Sequence, residues 1–356
     1  MISLGLIAFV SFCVTFVTIP VLLKFAHQTQ LYTKQNDRTC HAAHDIPSLG
    51  GVAIFMGITF SILLLSPNRE FGDLQYLLAT QFAIFLLGLK DDIYVLSART
   101  KLLIQILCAL GLVTLAGTRI SNFYGVLGIF ELTQLESTMF TTIAIVGLIN
   151  SFNLIDGINW LAGLMAISAT SFLAYWFAIN GFYLNAGISL AIIGSVSAFL
   201  YYNRTPAKIF MGDTGSLHLG LTITYLIIEF INLNHQSTGL NFQLRSAPPV
   251  AIALLLVPII DTLQVVFIRL KNRRNPFSPD KNHLHHILLS TGISHMRASF
   301  LLFIINCSAI IGAVTFNQIT GKIIIPLVFI SCYMLINLIG FSFVKKRIER
   351  KIKLVA

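Results

Sequence analysis

Residues 138–179 read TMFTTIAIVGLINSFNLIDGINWLAGLMAISATSFLAYWFAI and carry a single charged side chain, the carboxylate of Asp156. The apolar runs 138–155 and 160–179 flank this aspartate. Each run is close to the roughly 20 residues that a helix needs to cross about 30 Å of hydrocarbon. The stretch therefore predicts two membrane-spanning helices joined by a short polar corner.

The same alternation of apolar runs and polar corners continues along the whole chain. Of its 356 residues, 56% are hydrophobic and 11% are charged, and the mean hydropathy is +0.81. This composition excludes an ordinary soluble domain and predicts an all-α polytopic membrane protein with about eleven transmembrane helices. The predicted runs are 2–23, 49–65, 74–89, 101–117, 138–155, 160–179, 182–201, 216–233, 248–270, 298–316 and 322–344. The first run lacks a basic start, so we expect it to be retained rather than cleaved as a signal peptide.

The basic residues are distributed asymmetrically between the connections. Twenty of the 24 Lys and Arg residues fall in alternate connections, which the positive-inside rule places in the cytoplasm. The N-terminus is then outside and the C-terminus cytoplasmic. The net charge of +10 is explained by this topology and by attraction to anionic membrane lipids, without nucleic acid. On the outer, periplasmic side, segment 118–133 predicts a small β-hairpin around Gly125 and Gly128.

The aspartates concentrate on the basic side of the membrane. Eight of the nine Asp residues lie in those connections or in the adjoining half of a span, and only Asp73 lies outside. Ionisable groups near a bilayer are costly and usually functional. Short carboxylates on several inner loops suit Mg²⁺, which takes one or two carboxylates together with substrate phosphates. The residues alone therefore indicate a metal-assisted enzyme that handles phosphates at the inner face.

Asp91 and Asp92 end the third predicted span. Adjacent helical residues point about 100° apart, so we expect one carboxylate to face the site and the other to support it; which one does which stays open. Lys101 and Gln105 follow at a spacing of four and share a face of the next helix. Lys101 is either a site residue or an anchor whose charged end reaches the interface.

Asn150, Asn153 and Asp156 recur every three residues and predict a polar stripe on an otherwise apolar helix, with Asn159 just beyond Gly157. Such a stripe must face protein or water rather than lipid. One interhelical hydrogen bond would need a single Asn. The row therefore favours a functional surface.

The segment NRTPAKIFMGDTGSLHLG at 203–220 places Asn203 and Asp213 before another span. The glycines on either side of Asp213 allow close backbone approach, and Ser216 is a candidate helix cap. A helix N-terminus at this point is predicted to hold an anion.

The longest inner loop reads RLKNRRNPFSPDKNHLHHILL at 269–289 and carries Asp280, Lys281, His283, His285 and His286. Phosphate and nucleotide contacts by its His, Lys and Arg side chains fit this composition. Zinc is an alternative for clustered histidines, but no cysteine or second histidine pair supports it. Asp261, inside a predicted span, is a candidate partner for Arg269 or a loop lysine. Its role, structural or catalytic, stays open.

Together the motifs, from DRTCHAAHDIPSLGG at 37–51 to SPDKNHLHH at 278–286, resemble the polyprenyl-phosphate N-acetylhexosamine-1-phosphate transferases of glycosyltransferase family 4. The chain is more similar to the WecA and TagO branch than to the MraY branch. The resemblance implies transfer of N-acetylglucosamine-1-phosphate, or a related sugar phosphate, from a UDP-sugar to undecaprenyl phosphate, with Mg²⁺ or Mn²⁺ as cofactor and UMP as product.

The reaction implied starts a cell-envelope polysaccharide, such as lipopolysaccharide, at the cytoplasmic face of the bacterial inner membrane. Without an internal repeat or a long linker, the sequence predicts a single domain over 1–356, and a homodimer through the spans stays open. The active-site loops would be 24–48, 90–101, 153–159, 203–215 and 271–297.

Residue roles also follow from the resemblance. Asp213 would be the principal metal ligand, with Asp156 beside it. Catalytic roles would fall to Asp91, Asp92, Asp156 and Lys101. The substrates would be bound by Asn153, Asn159, Asn203, Asp280, His283, His285 and His286.

The chain departs from the patterns of its relatives at three points, of which the last two weaken assignment to the MraY branch. Val95 stands where some relatives have a third Asp, Asn159 stands where the MraY pattern has Asp, and the histidines read His–Leu–His–His. A phospho-N-acetylmuramoyl-pentapeptide transferase is nevertheless the main alternative. A transporter is the alternative from a different class, although transporter sites usually lie near the midplane. A CDP-alcohol phosphatidyltransferase is disfavoured because its Asp–Gly–x–x–Ala–Arg start is missing.

Overall fold

The computed structural model describes residues 4–30, 46–65, 74–273 and 283–318. The predicted run 322–344 and Asp280 lie outside these residues. The regular secondary structure of the described part consists of α-helices and two short 3₁₀ helices. In chain order the α-helices are α1 (Leu4–Thr29), α2 (Gly50–Leu65), α3 (Leu74–Ile93), α4 (Ala98–Leu115), α5 (Gln134–Ile155), α6 (Leu161–Ile179), α7 (Tyr183–Asn203), α8 (Gly212–Gln236), α9 (Ala247–Leu254), α10 (Leu256–Lys271), α11 (Leu284–Ser290) and α12 (His295–Thr315).

The helices confirm an all-α polytopic membrane protein. Each predicted apolar run in the described part lies on a helix, but fewer than eleven meet the length and hydropathy of a span. Seven do, namely α1, α4, α5, α6, α7, α8 and α12, and the bent pair α9–α10 makes eight if it is one span. Helix α2 has only 16 residues, and α3 ends in the charged sequence Lys90–Asp91–Asp92.

Helix α8 is the centre of the bundle. It contacts α2, α3, α5, α6, α7 and α9, and nearly all its side chains after Asp213 are buried. A helix that is covered on every side can be apolar around most of its circumference, and residues 219–231 contain a single charged side chain, that of Glu229. The first turn of α8 is therefore fixed in position by its neighbours.

The corner inside 138–179 is a tight turn between α5 and α6. Trp160 precedes α6 in a left-handed conformation with φ of 72°, which is unusual for a non-glycine residue. Its backbone N–H donates to Asn203 Oδ1 at 2.8 Å, and its indole Nε1 donates to the Leu200 carbonyl at 2.9 Å. These bonds to the end of α7 hold the corner in place.

The predicted span 248–270 is not one continuous helix. It breaks at Leu255, and α9 and α10 meet at an angle of 74°. Pro258 has no backbone N–H, so it cannot bond to the Leu254 carbonyl four residues earlier. Asn306 Nδ2 donates to that carbonyl at 3.1 Å instead, while Asn306 Oδ1 accepts from Val257 N at 3.2 Å. The side chain of α12 thus satisfies backbone groups that the break leaves unpaired.

The segment between α4 and α5 is less regular than the predicted hairpin. One isolated antiparallel bridge joins Asn122 and Glu131, and a 3₁₀ turn over Val126–Gly128 closes it. Gly125 adopts the left-handed conformation that starts this turn. The segment folds back on itself without two regular strands.

Candidate active site

Polar side chains from four helices converge at the first turn of α8. Asp91 and Asp92 come from the end of α3, Lys101 from the start of α4, Asn153 from the end of α5, and Asp213 from α8 itself. Each therefore lies at or near the end of an apolar helix. The polar cluster consequently occupies one end of the bundle, as the sequence predicted.

Lys101 connects two of the carboxylates. Its Nζ donates to Asp213 Oδ2 at 2.9 Å and also forms an ion pair with Asp91. Asp91 Oδ1 in turn accepts from the backbone N–H of Leu96 at 2.7 Å. The lysine amine is thus directed into the cluster, which favours a site residue over an interfacial anchor.

Asp92 serves a different purpose from its neighbour. Its carboxylate accepts from Asp213 N at 2.8 Å, from Thr214 N at 2.9 Å and from Thr214 Oγ1 at 2.5 Å. It therefore caps the start of α8, where backbone N–H groups and the helix dipole favour a negative charge. Asp92 supports Asp213, and Asp91 is the carboxylate that faces Lys101.

This cap corrects two expectations about the start of α8. The predicted anion site is filled by the protein's own carboxylate, that of Asp92, so the N–H groups of Asp213 and Thr214 are not free for substrate. Ser216 is not the cap, because it lies inside the helix and donates to the Gly212 carbonyl at 3.0 Å.

Asn153 completes the contacts of Asp213. Its Nδ2 donates to Asp213 Oδ1 at 3.0 Å and to Ser216 Oγ at 2.8 Å. One turn earlier, Asn150 Nδ2 donates to Gln105 Oε1 at 2.6 Å. Of the predicted polar stripe, Asn153 therefore lies at the site, whereas Asn150 forms an interhelical pair.

Glycines let α2 and α3 approach the backbone of α8. A Cβ built at Gly88 would lie 2.5 Å from Thr214 Cα, and one built at Gly51 would lie 2.5 Å from Gly215 Cα. Both distances are far below a normal van der Waals contact. The close approach that was expected of the Gly–Asp–Thr–Gly sequence is thus helix packing directly beneath Asp213.

Asp156 follows α5 and is half-buried. Burial, together with the nearby charges of Asp213 and Asp92, raises the pKa of Asp156 to about 7. Its carboxylate has no donor among the described residues. The cluster therefore contains four carboxyl groups, those of Asp91, Asp92, Asp156 and Asp213, and one lysine amine, which pairs with Asp91 and Asp213. A divalent cation would balance the excess of acidic groups.

Asn159 lies in the corner between α5 and α6, and Asn203 is the last residue of α7. Asn203 holds Trp160, as described above, and its Nδ2 donates to the Ile209 carbonyl at 2.9 Å. Asn159 Nδ2 donates to Thr205 Oγ1 at 3.0 Å. Both side chains are buried, and these bonds join loops to each other, so the structure shows them as organisers of the loops.

The three histidines lie together at α11. The rings of His283 and His285 stack with centroids 5.4 Å apart, and His286 is 4.4 Å from His285. His285 is 1% exposed, and a Cβ built at Gly157 would lie 2.8 Å from its Cε1. The cluster therefore packs against the residue that follows Asp156. Burial lowers the pKa of His285 to about 3, so its ring is neutral at pH 7.

Sequence reasoning missed one contact of this cluster. The described partners of Asp261 are His283, whose Nδ1 lies 2.7 Å from Asp261 Oδ2, and the Leu284 N–H, 2.6 Å from Oδ1. The sequence had suggested a basic partner, Arg269 or a loop lysine. The position of Asp261 inside an apolar run indicated that its carboxylate has a partner, but it did not identify that partner.

The helical bundle and the cluster of carboxylates, amide and lysine at one end of α8 define an integral membrane enzyme. Residues 74–231, from α3 to α8, match the model of Glycosyl transferase family 4. The chain belongs to this family of transferases, and its relatives support the assignment.

Three relatives cover most of the chain. A "Probable undecaprenyl-phosphate N-acetylglucosaminyl 1-phosphate transferase" of Bacillus subtilis (strain 168) is 32% identical over 327 residues, 90% of this chain and 88% of the relative. A "Decaprenyl-phosphate N-acetylglucosaminephosphotransferase" of Mycolicibacterium smegmatis is 36% identical over 72% of this chain and 68% of the relative. An "Undecaprenyl-phosphate alpha-N-acetylglucosaminyl 1-phosphate transferase" of Yersinia pestis is 26% identical over 79% and 76%, respectively.

Proposed function

We propose that this protein transfers N-acetylglucosamine-1-phosphate, or a related N-acetylhexosamine-1-phosphate, from a UDP-sugar to undecaprenyl phosphate. UMP is released, and the lipid-linked sugar starts a cell-envelope polysaccharide. The observation that carries the proposal is the position of Lys101 between the carboxylates of Asp91 and Asp213. The names of the relatives support the same reaction.

The chemistry exchanges one phosphoric anhydride for another. A lipid phosphate oxygen attacks the β-phosphorus of the UDP-sugar, and the bond from that phosphorus to the UMP oxygen breaks. The reaction is therefore close to thermoneutral and reversible. Its barrier is mainly the repulsion between a phosphate dianion and a diphosphate, so charge stabilisation and alignment are the main requirements.

Mg²⁺, with Mn²⁺ as an alternative, fits the chemistry of the site. No group of three or more His, Cys, Asp or Glu side chains with metal-binding geometry occurs in the described part. Mg²⁺ commonly takes only one or two carboxylates, with phosphates and water completing the coordination. Asp213 and Asp156 would hold the ion, which would neutralise charge on the diphosphate.

The protein's own residues would divide the remaining work. Lys101 would donate to a phosphate oxygen, and Asp91 would orient its amine. Asp92 fixes the backbone of Asp213, and Asn153 orients the Asp213 carboxylate. A phosphate monoester has a second pKa near 6, so the nucleophile is largely ionised at pH 7 and needs only modest help from a general base.

The same proposal includes the membrane topology. The cluster would face the cytoplasm of a bacterial inner membrane, because 20 of the 24 Lys and Arg residues fall on its side. The periplasmic side of the membrane would then hold the N-terminus and segment 118–133. About eleven spans would make one domain, and anionic lipids would meet the basic face.

Purified protein in detergent would be incubated with undecaprenyl phosphate, Mg²⁺ and a panel of UDP-sugars, and UMP release would be measured. UMP from UDP-N-acetylglucosamine that is abolished by EDTA is the expected result. UMP release only from the UDP-muramoyl-pentapeptide would instead assign the protein to the MraY branch. No UMP from any donor, with folded protein, would contradict the proposal and reopen the transporter hypothesis.

A further inference from the structure

The residues assigned so far leave one buried carboxylate without a role. Asp261 lies in α10, is 1% exposed and is absent from the cluster around Asp213. Its two oxygens bind two consecutive residues at the start of α11, the ring of His283 and the backbone N–H of Leu284. A buried carboxylate is costly unless hydrogen bonds satisfy its oxygens, and these two contacts do so.

The break in the membrane helix determines where Asp261 lies. Asn306 satisfies the Leu254 carbonyl and the Val257 N–H at the 74° bend, and Asp261 follows one turn into α10. An uninterrupted helix would continue along the axis of α9 and carry Asp261 elsewhere. The bend therefore directs the carboxylate towards α11.

Helix α11 transmits this contact to the catalytic end of the bundle. His285, two residues after His283, packs on Gly157, where a Cβ would lie 2.8 Å from its ring. Gly157 is the residue directly after Asp156. Asp261, α11 and the Asp156 corner therefore form one continuous series of contacts.

A carboxylate also determines which nitrogen of His283 carries a proton. An ionised carboxylate only accepts hydrogen bonds, so His283 Nδ1 must be the protonated nitrogen that donates to Asp261 Oδ2. Nε2 is then the atom available for other contacts. In enzymes and metal sites, a carboxylate partner of this kind fixes the orientation and tautomer of the imidazole.

We propose that Asp261 is a positioning residue. It docks the histidine helix α11 against the Asp156–Gly157 corner and holds His283 with its proton on Nδ1, so that the histidines meet the diphosphate of the nucleotide-sugar. The inference rests on the proposed function for the identity of that substrate. The pairing of Asp261 with His283 does not depend on it.

The test compares Asp261→Asn, Asp261→Glu and His283→Gln in the full chain. In Asp261→Asn the amide oxygen can still accept from Leu284 N, but its N–H₂ group faces His283 Nδ1 and disfavours the native tautomer. We expect kcat/KM for the UDP-sugar to fall about 10–100-fold, mainly through a higher KM. The KM for undecaprenyl phosphate should not change, and Asp261→Glu should retain more activity than Asp261→Asn.

Asn234→Ala is the matched control for a structural role, because Asn234 is also buried and polar and its side chain bonds both backbone groups of Leu244, at the end of α8 away from the site. It should lower the unfolding temperature and the amount of active protein without changing the KM of the UDP-sugar. If Asp261→Asn behaves in the same way, with an unchanged KM, Asp261 is only structural and the proposal is overturned.

A double-mutant cycle separates the pairing from the reaction. If Asp261 acts through His283, the double variant Asp261→Asn, His283→Gln should lose no more activity and no more thermal stability than the more damaging single variant. Additive losses would overturn the proposal. The stability cycle reports on the pair even if the wild-type protein releases no UMP, an outcome that would contradict the proposed function instead.

Discussion

Lys101 on α4 and Asp213 on α8 are 112 residues apart in sequence, yet Nζ of the lysine lies 2.9 Å from Oδ2 of the aspartate. The same amine pairs with Asp91, so one cation links the ends of three helices. Removing it leaves two carboxylates facing each other without compensation, and it removes the donor that we assign to the substrate phosphate.

Lys101→Met should therefore lower kcat for UMP release by about 10²–10³-fold, the usual cost of deleting one donor that stabilises charge in a transition state. Arg119→Met, in the segment that follows α4, is the control and should retain wild-type activity. Equal activity of the Lys101 variant and the control would remove Lys101 from the mechanism.

The neighbouring aspartates should differ in their effect on stability. Asp92 accepts three hydrogen bonds at the start of α8, whereas Asp91 has one backbone donor and the lysine. Asp92→Asn places an N–H₂ group against N–H donors, so we expect a loss of about 1–3 kcal/mol of stability as well as activity. Asp91→Asn should lose activity with a smaller change in unfolding temperature. The reverse order of unfolding temperatures would contradict the assignment of Asp92 as the cap.

Asp91 and Asp213 should also differ in the pH dependence of their variants. If Asp91 assists deprotonation of the lipid phosphate, Asp91→Asn should lose less activity at alkaline pH, where a group with a second pKa near 6 is fully ionised. Asp213→Asn should be inactive at every pH, because a metal ligand is lost. UMP release measured from pH 6 to about pH 9 checks this. Equal, pH-independent losses of activity in the two variants would rule out Asp91 as a general base.

Gly88→Ala should disturb the site without removing any polar group. Its methyl group would lie 2.5 Å from Thr214 Cα, so α3 and α8 would have to separate, at a cost of about 1–3 kcal/mol. Gly147→Ala on α5 is the control, because a Cβ there meets no atom within 4 Å. We expect a lower unfolding temperature and lower activity only for Gly88→Ala. Similar behaviour of the two variants would contradict the close packing.

The raised pKa of Asp156 predicts a pH-dependent stability. The folded-state pKa is about 7, against an ordinary value of 3.8, so between these values the folded protein keeps a proton that the unfolded chain has lost. The contribution of Asp156 to stability is therefore full at low pH and is lost as pH rises through about 7. In EDTA, Asp156→Asn should raise the unfolding temperature more at pH 8 than at pH 5.

Mg²⁺ gives a second check of the same residue. A metal ion competes with the proton for the carboxylate, so added Mg²⁺ should stabilise the wild-type protein more at pH 8 than at pH 5. This difference should be smaller in Asp156→Asn. A pH-independent effect of Mg²⁺ in both proteins would indicate that Asp156 is not a ligand.

The sequence predicted the helices and the convergence of the site because both depend on local patterns. Hydropathy places Asp91, Lys101, Asn153 and Asp213 at or near the ends of apolar runs, and the charge asymmetry puts those ends on one side. Which carboxylate supports the other could not be predicted. That distinction depends on how closely α3 approaches α8. Gly88 permits a close approach, but a glycine in the sequence does not show which carboxylate then reaches the start of α8.

The misread segments share a physical cause. Run 248–270 is apolar enough for one span, so its composition does not indicate a break. The unpaired Leu254 carbonyl is satisfied by Asn306, which lies far away in sequence on α12. Asp261 was similarly visible as an intramembrane acid, while its partner His283 lies 22 residues away. Contacts of this kind depend on tertiary packing, which hydrophobic periodicity does not encode.

The most direct measurement follows the β-phosphate of UDP-N-acetylglucosamine, labelled with ³²P, in the presence of undecaprenyl phosphate and Mg²⁺. If the protein transfers the sugar together with its phosphate, the label moves into the lipid fraction while unlabelled UMP appears in the aqueous phase, and Asp213→Asn abolishes both. Label that stays in the aqueous phase as UDP, with sugar on the lipid, would contradict transfer of the sugar phosphate.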